Sequence, residues 1–123
     1  MEKETFTINI FEDLDHKGRQ NLAMNTSNRE ILIVLSEDSW EYVKGQVVQN
    51  INTPIYILKK MLEEYDEVDW LDKNESFYSG YTKENIEKTL KLIEKKLGKK
   101  EFKKTERIES IIFLRWKKVP TRF

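Results

Sequence analysis

The segment YTKENIEKTLKLIEKKLGKK, from Tyr81 to Lys100, constrains the fold more than any other stretch of this chain. Ile86, Leu90, Ile93 and Leu97 recur at three- and four-residue intervals, so a helix gathers them into one stripe and leaves Lys and Glu elsewhere on its surface. Thr82 is placed to cap the first turn, and Gly98 falls where the chain can leave the helix in a left-handed conformation. Glu84 and Glu87 near the start and Lys95 and Lys96 near the end suit the helix dipole. A helix with a single apolar stripe must lay it on another layer, so the rest of the chain has to supply that layer.

Two more helices precede it. Trp40, Val43, Val47, Val48 and Ile51 share a helical period, with Ser36 or Asp38 positioned as N-cap and Gly45 weakening the middle. Thr53 and Pro54 then open a second run in which Leu58, Met61, Leu62 and Tyr65 form one stripe.

Elsewhere the period looks shorter. Phe6, Ile8 and Ile10 alternate with Thr5, Thr7 and Asn9, as in a half-buried strand, and a turn follows around Gly18. NLAMNTSNREILIVLS reads as a short strand, a polar turn at Asn25 to Asn28, and a strand apolar on both faces from Ile31 to Leu35. In RIESIIFLRWKK, Ile108, Ile112, Leu114 and Trp116 oppose Ile111 and Phe113, the pattern of a strand inserted into a covered sheet after a basic loop. The expected fold is therefore α+β: an antiparallel sheet of about four strands in the order β-β-β-α-α-α-β, with helices on one face. No repeat or Pro/Gly/Ser linker divides the 123 residues, so residues 1–123 are expected to form one domain, long enough to bury roughly 65% of its unfolded surface.

Composition removes several chemistries. There is no cysteine, which excludes disulfides, thiolate catalysis, zinc-thiolate sites and iron-sulfur clusters. Four glycines and no Walker A, GxGxxG or GxSxG pattern leave no phosphate-cradling loop. The longest apolar run, ILIVL, is far short of a membrane span or signal core, and the expected setting is cytoplasmic with no membrane partner. The single histidine, His16, stands near Glu12, Asp13 and Asp15 but beside a turn glycine, the setting of a solvated residue. Asp72, Asn74 and Ser76 start like a calcium loop, which fails because Phe77 and Lys83 stand where Gly and Glu are needed. Glu-x-Lys at Glu94 to Lys96 and Glu101 to Lys103 occurs no more often than chance allows in so charged a chain. No cofactor, metal ligand set or catalytic residue is expected.

Charge is the informative property that remains. The net is zero, yet residues 1–75 hold eight Lys and Arg against sixteen Asp and Glu, and residues 76–123 hold fourteen against six. Neutrality is a cancellation of two poles. The acidic pole centres on EEYDEVDWLDKNE, Glu63 to Glu75, and adjoins several rings; Asp66, Glu67, Asp69, Trp70, Asp72, Phe77, Tyr78 and Tyr81 combine aromatic anchors with carboxylates as an interface to a basic protein surface would. The expected function is that of a small non-enzymatic binding protein neutralising a partner, of immunity, antitoxin or anti-defence type, the partner being a toxin or nucleic-acid enzyme.

A competing reading uses the basic pole. Lys99, Lys100, Lys103, Lys104, Arg107, Arg115, Lys117 and Lys118 could neutralise nucleic-acid phosphates, with Phe102 and Trp116 to stack on bases. A third has Arg107, Arg115 and aromatics hold a nucleotide-like ligand between subunits. The structural alternative to all of these is that the two poles pair with each other inside the fold, each exposed ion pair contributing at most about 1 kcal/mol.

Overall fold

A computed structural model of the protein describes residues 14–66 and 78–118, and the described residues form six helices with no strand. In chain order these are α1 (His16–Asn25), α2 (Arg29–Leu35), α3 (Glu41–Gln49), α4 (Ile55–Asp66), α5 (Lys83–Leu97) and α6 (Lys99–Lys118). The expected α+β fold, with its four-stranded sheet, is corrected by this helical architecture. The three helices read from their period are present as α3, α4 and α5. The first expected strand, around Phe6 to Ile10, lies outside the described residues.

Each remaining strand assignment fails for a local reason. The short strand before Asn25 belongs to α1, whose first turn is held by the Asp15 carboxylate accepting from the Gly18 amide at 2.8 Å. The turn at Asn25 to Asn28 is real, but it joins two helices, and the Asn28 side chain caps the second by accepting from the Ile31 amide at 3.2 Å. ILIVL therefore coils: Leu32 and Leu35 are buried, while Val34 faces outward. A five-residue run apolar on every side fits a buried strand and a short capped helix equally well. The last strand is the second half of α6, a helix that begins at Lys99 on the far side of Gly98. Its inward stripe is Phe102, Glu106 and Glu109, a three-to-four spacing that starts before the alternating isoleucines do.

The core is continuous. Ala23, Leu32, Leu35, Val43, Val47, Val48, Ile55, Ile57, Leu58, Met61, Ile86 and Ile93 are buried together, and Tyr81 and Phe102 close its edge. Helix α1 packs on α3, while α4 is covered by α5 and α6. Two polar side chains join these layers. Asn50, at the end of α3, donates from Nδ2 to the carbonyls of Ala23 and Thr26, both at 2.8 Å, and so satisfies the open C-terminal end of α1. Thr53 donates its hydroxyl to the Val47 carbonyl at 2.6 Å, closing the last turn of α3 immediately before α4 starts.

Gly45 has a role its sequence position conceals. A side chain there would meet the carbonyl oxygen of Ser79 at 2.0 Å, because the turn into α5 lies directly on the α3 backbone. The helix tolerates a residue of poor propensity because only that residue permits the approach.

Candidate functional site

Helices α5 and α6 meet at Gly98, whose φ of 87° lies in the region that favours glycine, and they form an elbow. Lys88, Lys91 and Lys95 occupy the outer face of α5, opposite Ile86 and Ile93, and Lys96 lies in its last turn. Lys99, Lys100, Lys103, Lys104 and Arg107 cover the exposed side of the first turns of α6. An open depression along α5 includes Glu87, Lys88, Lys91, Leu92 and Lys95 in its walls. None of these eight lysines, nor Arg107, enters an ion pair with a described residue.

The ion pairs that do form explain why. Lys59 of α4 pairs with Glu106 of α6 at 2.7 Å, and Arg29 of α2 pairs with Glu109. The Glu109 carboxylate also accepts from the Tyr56 amide at 3.3 Å, at the open N-terminal turn of α4. Each bridge joins a cation of the acidic half to an anion of the basic half. Two cations of the acidic half and two anions of the basic half are thus used to dock α6. The Lys59 ammonium also lies 5.7 Å above the ring of Phe102.

Glu109 and Glu106 sit opposite Tyr56 and Lys59, so α6 runs antiparallel to α4. That register turns the two glutamates inward, their side chains 10% and 29% exposed. The outer face of the first half of α6 is left with four lysines and Arg107 against a single exposed carboxylate, Glu101. Further along, Ile108, Ile111 and Ile112 are exposed as well.

The sequence-derived sites fare differently. Of the acidic, aromatic set, Glu67, Asp69, Trp70, Asp72 and Phe77 lie outside the described residues, and Asp66 is described only as the last residue of α4. Tyr78 is 77% exposed. Tyr81 is 3% exposed, donates its hydroxyl to the Met61 carbonyl at 3.1 Å and meets the Tyr65 ring edge-on at 5.4 Å. Burial, followed by the fields of Glu64 and Glu41, pushes the Tyr81 phenol well above its ordinary pKa. Tyr81 is thus part of the core. In the basic set, Lys99, Lys100, Lys103, Lys104 and Arg107 come together at the elbow, whereas Arg115, Lys117 and Lys118 are placed only by the backbone of the last turns of α6. Phe102, expected to stack on bases, is buried.

Lys88, Lys91, Lys95 and Lys96 join the basic set from α5, and sequence reasoning did not include them. The signal was available: 88, 91 and 95 follow the same helical period as the buried stripe, half a turn away. His16 opens α1 and lays its ring 4.5 Å from that of Trp40, which in turn lies 6.2 Å from Tyr42. Among the described residues no cluster of three His, Asp or Glu side chains is arranged to hold a metal, and no helix is long and apolar enough to cross a membrane.

Comparison with known proteins identifies no relatives: no protein-family model matches the chain, and searches of curated proteins and of solved structures find no match.

Proposed function

We propose that this protein acts by binding, without chemistry of its own, and that its cationic elbow engages the phosphate backbone of a nucleic acid. The observation that carries the reading is the inward turn of Glu106 and Glu109, which leaves Lys99, Lys100, Lys103, Lys104 and Arg107 on the exposed side of α6 with Glu101 as the one carboxylate among them. Lysine side chains on rigid helical arms suit phosphates, and their binding energy comes from released counterions. Retention of a labelled oligonucleotide at about 50 mM salt, with log K falling against log[salt] at a slope near −4 to −5 for roughly five phosphate contacts on duplex DNA, supports the reading. No retention at that salt concentration overturns it.

A second reading keeps the acidic, aromatic segment expected from Asp66 to Tyr81, less the buried Tyr81, as a contact for a basic protein surface, and the 77% exposure of Tyr78 favours it. An exposed tyrosine beside a carboxylate-rich stretch supplies an anchor and steering charge together. Its test is affinity capture from the native host with the wild type and with Tyr78→Ala. One dominant basic partner, lost in the variant, supports this reading; equal capture by both proteins removes Tyr78 from it.

A further inference from the structure

We infer that the nucleic acid held at the cationic elbow is double-stranded and is bound without regard to base sequence; the inference rests on the nucleic-acid reading above. Single-strand binders combine a basic groove with aromatic platforms on which unpaired bases stack. Between Lys88 and Ile112 the only ring is that of Phe102, and it is 7% exposed, beneath the Lys59 ammonium. The backbone at Trp116 lies about 20 Å farther along the axis of α6 than that at Lys103. Among the described residues, the elbow from Lys88 to Ile112 therefore presents no exposed ring for an unpaired base to lie on.

Base reading is missing for a related reason. Base edges are distinguished mainly by bidentate Arg, Asn or Gln, and residues 88–112 contain no Asn or Gln and a single Arg, Arg107. The exposed cations are otherwise lysines, compact point charges that recognise phosphate without reading sequence. A site that works by charge alone gains most from the polymer of highest charge density. Counterion release per contact is about 0.9 for a duplex and about 0.7 for a single strand, so electrostatics by itself ranks the duplex first.

The experiment is fluorescence anisotropy on the full chain at about 50 mM salt, using two 24-base-pair DNA duplexes of unrelated sequence and a 24-nucleotide oligo(dT). Equal affinity for the two duplexes within about twofold, together with at least fivefold weaker binding of the single strand, is the expected result. Oligo(dT) bound as tightly as the duplexes, or one duplex preferred more than tenfold, overturns this inference while leaving phosphate binding intact. No binding of any probe overturns both. Lys103→Gln with Lys104→Gln serves as the charge control, and its duplex affinity is expected to fall with a salt slope shallower by about 1.8.

Discussion

Gly45 and Ser79 touch backbone to backbone: a side chain on Gly45 would stand 2.0 Å from the Ser79 carbonyl oxygen. This contact fixes how closely α3 approaches the turn before α5. It also sets two effects of a Gly45→Ala substitution against each other. Alanine gains about 0.5–1 kcal/mol in helix propensity, while a methyl driven into fixed backbone costs about 1–3 kcal/mol or more. The clash is expected to win, because the atom struck is a carbonyl and not the end of a flexible side chain. Thermal unfolding followed by circular dichroism should show a lower midpoint, and a midpoint equal to or above that of the wild type would sink this account of the contact.

Glu109 holds α6 to the body at two points, the guanidinium of Arg29 and the amide of Tyr56. Removing a largely buried carboxylate leaves both donors without it, at a cost of about 1–3 kcal/mol. Glu109→Ala is therefore expected to destabilise more than Arg29→Ala, because the Arg29 side chain is 53% exposed and rehydrates. Hydrogen exchange should show the difference as faster opening of α6. Equal exchange in the two variants would contradict the assignment.

Tyr81 predicts an alkaline instability. Its phenol is pushed above its ordinary pKa near 10, mainly by burial, so the folded state holds the proton more tightly than the unfolded chain. Below about pH 10 both states keep it and stability is unaffected by this group. Above that the unfolded chain loses the proton first, and stability falls by up to about 1.4 kcal/mol per pH unit. Tyr81→Phe loses the hydrogen bond to the Met61 carbonyl, about 0.5–1.5 kcal/mol at neutral pH. The variant should also decline less steeply between pH 10 and 11.5 in urea unfolding series. Parallel declines would remove Tyr81 as the cause.

The elbow lysines should be separable from the fold. Lys99→Gln, Lys103→Gln and Lys104→Gln are exposed substitutions, expected to change stability by less than about 0.5 kcal/mol each. Together they should weaken duplex retention strongly at low salt. Lys59→Gln should do the reverse, loosening α6 by releasing Glu106 while leaving binding to the elbow nearly intact. A Lys59 variant that weakens binding as much as the elbow variants do would place the site elsewhere.

Where one period dominated, the sequence was legible. The stripe of Ile86, Leu90, Ile93 and Leu97 and the Thr82 cap identify α5, and the stripe of α4 is equally clear. The N-cap of α3 was less clear, since Trp40 occupies that position and Asp38 instead accepts from its amide at 2.9 Å. Helices α2 and α6 were not legible as helices. In α2 every face is apolar, so the period carries no information; in α6 the β-branched residues alternate by accident of an outer face that holds Ile108, Ile111 and Ile112.

From the sequence alone come the absence of thiol chemistry, three of the helices with most of their buried stripes, and the separation of charge into an acidic and a basic half. These are local or additive properties, readable from residue type and spacing. Which charges remain outside was decided by the antiparallel register of α4 and α6, which turns Glu106 and Glu109 toward Lys59 and Arg29 and leaves the lysines of the elbow in water. That outcome depends on which residues face each other across a packed interface more than forty positions apart in the chain, and such a relationship exists only once the helices have packed.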